Sequence, residues 1–428
     1  MEKLMHFVWH HRLGLRGDLR TVDGRRVRVL DQGTLNNDAG PDFFNASIEI
    51  DGQCWAGNVE MHVRASDWYN HRHHLDRAYD SVILHVVLHD DREVRRPDGS
   101  VIPQMVIRCS AEAAARCNTL TEQAAWDLPC RDTLAAIPSI YVTDWLTALA
   151  FERLLTKSER LRDEVESADG SWSQGAYRLL ARGLGFGLNA QPFEQLARSL
   201  PLEILRRHSD DHTLCEAMVI GQAGLIPSPA PGEDPYITLL RQNYLFMAKK
   251  FGLRCTNPAW KMGRTRPQNL PYRRLAYLAQ FTCYSSGFID LLENARTLDD
   301  MRDVFDHPLL GFWASHFTFS PGAARERSAR AVSRSSIDRL IINVALPLLH
   351  ARAVWRGDID AASAVIERLE SLPPEDNAIT RLFATAGMKN DNAFISQALI
   401  QLRREYCERK KCLYCRFGHR MLSAEIQK

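Results

Sequence analysis

The stretch that decides the fold is Gly40-Pro41-Asp42-Phe43-Phe44-Asn45-Ala46-Ser47-Ile48-Glu49-Ile50-Asp51-Gly52-Gln53-Cys54-Trp55-Ala56-Gly57-Asn58-Val59-Glu60-Met61-His62-Val63. From Asp42 to Ile50 the residues alternate, with Ala46, Ile48 and Ile50 on one side and Asn45, Ser47 and Glu49 on the other. That is the period of a half-buried strand. Asp51-Gly52 is a hairpin turn, and Gln53 to Val63 reads as the returning partner. Glu60 and His62 share a face of that partner because side chains alternate along a strand. Hairpin pairing then brings Asp42, at the head of the first strand, beside Glu60. Two carboxylates meeting at a sheet end make a hard oxygen site suited to Mg²⁺ or Mn²⁺. Such an ion lowers the pKa of a water and stabilises charge on a phosphate. His62 is placed to reach the same water.

Working outward, Leu4, Phe7, Val8 and Leu13 have helical spacing, so a short helix opens the chain. Arg25 to Leu30 reads as a strand entered through Asp23-Gly24, and Asn36 to Pro41 as a loop. Downstream, Ser66 or Asp67 caps a helix running through Trp68. Ser81 to Leu88 and Ile102 to Cys109 are further strands, separated by the turn Asp98-Gly99. The order is helix, three strands, helix, two strands. After about residue 137 the period becomes 3.6, predicting helices over 141–166, 172–184, 192–206, 236–250, 271–294, 298–305, 335–355, 358–371, 376–385 and 391–407. The expectation is an α+β chain: an α/β domain with a mixed sheet over residues 1–130, then a mainly α-helical domain over 131–428. No fixed-period repeat supports a solenoid.

With 428 residues, 45% hydrophobic and 25% charged, the chain carries enough apolar material for two sizeable cores. A net charge of +2 leaves no global attraction for nucleic acid, so any such binding needs a local basic patch. No apolar run reaches the roughly 18 residues that span a bilayer. The start, Met1 to Arg12, lacks the basic-then-apolar order of a signal peptide, so a cytoplasmic location without a membrane partner is expected.

Three further constellations carry chemistry. His71, His73, His74, His85 and His89 crowd the segment from Asp67 to Asp91. On a helix His71 and His74 share a face, where they would line the cleft and contact phosphate. A zinc hydrolase built on this stretch is a separate reading, although no His-Glu-x-x-His spacing occurs. The plainer alternative is a solvated helix with histidines at a strand edge. The segment Trp260 to Arg274 mixes aromatics with Arg264, Arg266, Arg273 and Arg274, a pattern suited to gripping a strand, and Arg325 to Arg339 is a second basic run. The tail reads Cys407-x₄-Cys412-x₂-Cys415 with His419 beyond. Its knuckle spacing suits zinc if His419 is the fourth ligand, or an iron–sulfur cluster if Cys130 is. Isolated cysteines such as Cys215, Cys255 and Cys283 read as small buried hydrophobes.

Pro41-Asp42 at a strand head followed by Glu60-Met61-His62 resembles the restriction-endonuclease-like, or PD-(D/E)xK, superfamily, whose order of elements also matches. The resemblance implies that Asp42 and Glu60 are metal ligands, that His62 stands where that family has a lysine, and that Glu2 matches an extra acidic residue of some members. A histidine there departs from the pattern, because it is neutral over much of the physiological range. The longer run Val29-Leu30-Asp31, Asn36, Gly40-Pro41-Asp42-Phe43, Asn45-Ala46, Gly57-Asn58-Val59-Glu60, Ser66-Asp67-Trp68, His71, His74, Asp76, Tyr79 and Val82 to Val87 resembles the bacterial domain-of-unknown-function family 2851. That similarity extends over nearly the whole chain, tail cysteines included, and implies no mechanism. The function expected is metal-dependent phosphodiester hydrolysis of DNA or RNA. The alternative is an inactive nuclease-like scaffold that binds nucleic acid or a protein partner.

Overall fold

The structure is a computed structural model that describes residues 1–428 apart from 14, 16–17, 37, 123–127, 256–257, 264–269, 285–286, 321–331 and 427–428 and the side chains of 122 and 424–426. An α+β chain results, with a mixed sheet first and helices after it. It divides into two compact units. The first comprises Met1–Trp145, Thr385–Met388 and Leu402–Lys428; the second comprises Leu146–Ala384 and Lys389–Gln401. A single cut at residue 130 therefore misses the return of the tail to the first unit.

In the first unit α1 (Glu2–His10) precedes β1 (Leu19–Arg20), β2 (Arg26–Asp31), β3 (Thr34–Leu35), β4 (Phe43–Ile50) and β5 (Gln53–Arg64). A short α2 (Asp67–Asn70) leads to β6 (Val82–His89) and β7 (Gln104–Val106), and α3 (Ala111–Glu122) follows. The sheet order is β1-β2-β4-β5-β6-β7, with β3 paired to β4. The pairs from β1 through β5 are antiparallel, and β5, β6 and β7 run parallel. α1 buries Leu4, Met5, Phe7, Val8 and Trp9, and is pinned where Trp9 Nε1 donates to the Gln32 carbonyl at 3.0 Å. β7 is shorter than expected because Pro103 has no N–H to offer a ladder. The buried Gln104 side chain fastens the β6–β7 crossover instead, accepting from the Val94 N–H and donating to the Arg92 carbonyl.

Two irregularities set the register around β5. Ala46 pairs with Gly57, yet Phe43 pairs with Val59, so β4 uses one extra residue. Asn45 absorbs it at φ +56°, a left-handed conformation that asparagine tolerates better than most residues. On the other side Asn58 pairs with Val82 but Val59 with Leu84, so β6 also uses one extra residue. Without these bulges Glu60 would face Phe43 and Leu84. With them it faces Asp42 and His85. Asn58 holds both: its Oδ1 accepts the Asn45 N–H at 3.2 Å, and its Nδ2 donates to Ser81 Oγ at 2.7 Å. Gly57 lets β5 approach this closely, since a Cβ there would collide with the Ser81 carbonyl and the Ile83 side chain.

The second unit is helical, and its helix starts follow ordinary capping chemistry. Ser171, Asp211 and Asp358 each accept a backbone N–H of the first turn, and Thr297 with Asp300 forms a capping box. The predicted 192–206 helix breaks at Pro201 into Ala190–Ser199 and Leu202–Arg206. The predicted 335–355 helix carries a π turn at Ile341–Ala345, ahead of Pro347, which lacks the N–H an unbroken ladder needs. Helix His212–Gln222, absent from the expectation, is buried at every position from Cys215 to Gln222. Among the described residues no helix is long and apolar enough to cross a membrane.

Replacing Asn58 by alanine removes both bonds that hold the bulges. The expected cost is about 2 kcal/mol, roughly 4–8 °C in the melting temperature of a unit this size. Thermal melts of wild type and Asn58→Ala check it, and an unchanged midpoint would show that the bulges do not depend on this side chain.

Candidate metal-binding site

The register places four polar groups of the sheet side by side. The Glu60 carboxylate is split between two tasks. Its Oε2 accepts the Asp42 N–H at 3.1 Å, while its Oε1 lies 3.3 Å from His73 Nε2 and 3.5 Å from His62 Nε2. Asp42 returns the contact, its Oδ2 accepting the Met61 N–H at 2.9 Å. The same Oδ2 lies 3.2 Å from His6 Nε2 on α1. His62 Nδ1 stands 2.8 Å from His85 Nε2, and His62 Nε2 stands 3.1 Å from His71 Nδ1. One ring nitrogen from each of His62, His71 and His73 falls within 4.8 Å of the others.

The backbone explains the convergence. α2 ends at Asn70, so His71 and His74 do not share a helix face. Arg72 adopts φ +63°, a left-handed conformation costly for a residue that carries a Cβ, and starts a 3₁₀ turn over His73–Leu75. That reversal aims His71 and His73 at one point. His73 stacks on Tyr79 at 3.8 Å, and Trp68 packs edge-on against both His73 and Tyr79. His74 instead packs against Tyr69, away from the cluster.

Burial dominates the electrostatics. Glu60 is 4% exposed, His62 2% and His85 0%. Burial, together with the neighbouring Asp42 charge, pushes the Glu60 carboxyl up to about 9. Glu2 adds a smaller push in the same direction. Burial first, and then the other histidines, pull His62 down to about 3; burial likewise pulls His85 down to about 3. Tyr79 is raised to about 12 and keeps its proton. Burial thus holds His62, His73 and His85 towards the neutral imidazole with a free lone pair, and leaves Glu60 a carboxylate that ionises readily only beside a cation. If His62 donates its Nδ1–H to His85, its Nε2 lone pair points at the position shared with His71 and His73. This is the outer-partner arrangement usual for a ligating histidine. His62, His71 and His73 offer three converging nitrogens that fit a divalent metal, with the Glu60 oxygen beside two of them, and imidazole nitrogen favours zinc over magnesium.

A family model described as "Protein of unknown function (DUF2851)" matches residues 2–378. The chain belongs to that family. The matched range ends before the tail cysteines, so the family's match does not reach Cys407, Cys412 or Cys415. No curated protein and no solved structure matches the chain.

Of the site residues expected from the sequence, Asp42, Glu60, His62 and His71 come together. Sequence reasoning counted His73 and His85 in the histidine-rich stretch without joining them to Glu60, and it passed over His6. The His71-Arg72-His73 spacing was a usable signal for His73, whereas His6 and His85 depend on tertiary packing. The predicted nucleic-acid contacts fare differently. Arg264 and Arg266 lie outside the described residues. Arg273 and Arg274 are 1% and 4% exposed, with their guanidinium groups over Phe317 and Phe186, where no strand of nucleic acid reaches. They sit on helix Pro271–Tyr284, whose residues from Arg273 to Thr282 are all buried. In the tail, His419 packs against His11 at 4.2 Å and Phe7 at 5.4 Å on α1, and so stands with that helix.

The raised Glu60 carboxyl has a signed consequence for the metal-free chain. The folded state keeps a proton that the unfolded state gives up above about 4.5, so the stability this group contributes is full below that value. It is lost as pH rises towards about 9. Glu60→Gln has no such dependence. In the presence of a chelator, the melting temperature of Glu60→Gln minus that of wild type is expected to grow steadily across that range, and a constant difference would contradict the assignment.

Proposed function

We propose that the first unit is a metal-dependent phosphodiesterase acting on DNA or RNA, with Glu60, His62, His71 and His73 holding a Zn²⁺ or Mn²⁺ ion. The observation that carries the reading is the single oxygen, Glu60 Oε1, with two histidine nitrogens within 3.5 Å and Asp42 paired beside it. The order α1, strand, Asp42 strand, Glu60 strand, α2, strand supports a restriction-endonuclease-like arrangement. The ion would supply Lewis acidity, lowering the pKa of an attacking water and offsetting charge on the phosphate.

The chain's own residues divide the remaining work. His62 is neutral, so it serves as a donor atom and does not replace a lysine's charge. His85 fixes the His62 ring through the 2.8 Å contact. Tyr79 holds His73 by stacking. Asp42 and His6 are more open, with side chains 23% and 25% exposed, and they form the edge a substrate can approach. There Asp42 orients His6, which is placed to carry a proton to or from a reacting oxygen. His71 is exposed beside them. The reading therefore moves phosphate contact from the arginines of the second unit to the rim of this cluster.

The test is cleavage of labelled single- and double-stranded DNA and RNA with Zn²⁺, Mn²⁺ or Mg²⁺. Activity is expected with zinc or manganese above magnesium. Glu60→Ala and His73→Ala should each lose about 100-fold or more, and His6→Ala should lose activity while still binding the metal. Metal bound at Glu60 and His73 with no cleavage of any substrate would sink the nuclease reading and leave a scaffold.

A further inference from the structure

Cys130 and the tail trio Cys407, Cys412 and Cys415, 277 residues further along the chain, meet in the first unit. Cys407 ends the π-helical turn Leu402–Cys407, and Lys410, at φ +53°, turns the chain into the 3₁₀ segment Cys412–Tyr414. Cys415 closes that turn, its N–H donating to the Cys412 carbonyl at 3.2 Å, and helix Arg416–Ile426 starts behind it. Burial pushes the Cys415 thiol up, and the neighbouring backbone N–H groups of Gly418 and Phe417 act against that push. A Cβ at position 418 would collide with the Cys412 carbonyl, so only glycine lets the knuckle lie this close to the helix. Cys130 is brought in from the other end of the unit. Its carbonyl accepts the Thr133 hydroxyl at 2.9 Å, and that hydroxyl also lies 3.0 Å from Met421 Sδ on the tail helix.

Cys130, Cys407 and Cys412 each lie close enough to the Cys415 sulfur for its charge to disfavour their own thiolates. Cys130 feels Cys415 and Cys412, and Cys407 feels Cys415, Cys130 and Cys412. Burial is the larger cause, holding Cys130 up to about 12 and Cys412 up to about 11. All four are free cysteines, and none is more than partly exposed. Burial keeps these four thiols protonated and neutral, whereas a cationic centre would turn the same groups into its thiolate ligands.

Spacing selects the kind of centre. Zinc with sulfur at about 2.3 Å needs its ligand sulfurs roughly 3.8 Å apart. Among the described residues the set of ligand atoms within 4.8 Å of one another is that of His62, His71 and His73, and no three of these sulfurs form another. A polynuclear centre separates its ligating sulfurs more widely, and four cysteines are its usual complement. We propose that Cys130, Cys407, Cys412 and Cys415 ligate an iron–sulfur cluster that ties the tail to the first unit. His419 is not a ligand, since it packs on α1.

The experiment is iron, zinc and acid-labile sulfide analysis, with visible absorption, of the full chain purified without oxygen. About two to four iron atoms per chain, matched by sulfide and a broad absorption that dithionite bleaches, are expected. Cys412→Ser should lose them, and Cys54→Ser, at an exposed cysteine, should keep them. Sulfide separates this centre from any metal held by the histidines. A wild-type chain without sulfide after reconstitution, a single zinc that depends on Cys412, or a chromophore unchanged in Cys412→Ser would each overturn the proposal. The wild-type sulfide and absorption decide the matter even if Cys412→Ser does not fold.

Discussion

The site depends on one side chain that is not part of it. Asn58 bonds Asn45 on one flank and Ser81 on the other, and so holds a one-residue offset on both sides of β5. Strand register is normally set by which face is buried, because a one-residue slip turns every side chain over. Here the bulges accomplish a local slip without turning over the remaining strand. Ile48 and Ile50 keep their core positions, while the residues beyond each bulge shift by one. The shift replaces Phe43 and Leu84 opposite Glu60 with Asp42 and His85. A hydrophobic pairing becomes a polar one at that point alone.

Such a pairing is unfavourable unless something compensates for it. A buried carboxylate beside a second carboxylate resists ionisation, and a buried imidazole beside three others resists protonation. Both pressures act in one direction, towards neutral groups with lone pairs facing a shared space. Three ring nitrogens converge within 4.8 Å, with the Glu60 Oε1 oxygen beside two of them, and the left-handed Arg72 holds His71 and His73 there at a conformational cost. Strain and convergent ligand atoms at the same place favour a ligand over simple packing.

Much of this was legible in the sequence, and the rest was hidden for identifiable reasons. The alternation of β4 and β5, the Asp51-Gly52 turn and the apolar run of β6 are local signals, so the strands appear where they were expected. Asp42, Glu60 and His62 followed from strand phase. His73 was obscured by assuming a helix through position 74; a single left-handed residue, which no periodicity reports, ends it. His85 belonged to a strand whose partner register depends on a bulge. Helix His212–Gln222 was missed because it is buried all round and shows no polar face. Arg273 and Arg274 looked like a binding surface because charge suggests solvent, but each guanidinium lies flat on an aromatic ring inside the second unit.

The tail completes the logic of the first unit. Helix α1 carries His6 to Asp42, yet α1 is only 9 residues long and its N-terminal turn has no side-chain cap. A helix of that length does not stand by itself in water. It is supported on one side by β5 and on the other by the tail, where His419 and Phe7 meet and His11 closes against His419. The tail helix, in turn, begins at the Cys412–Cys415 knuckle and is tied to Cys130 through Thr133. A centre that fixes those sulfurs therefore fixes the back of α1, and through it the position of His6. The sulfurs are thus linked to His6 through the tail helix and α1, whereas Glu60 is held by the sheet itself.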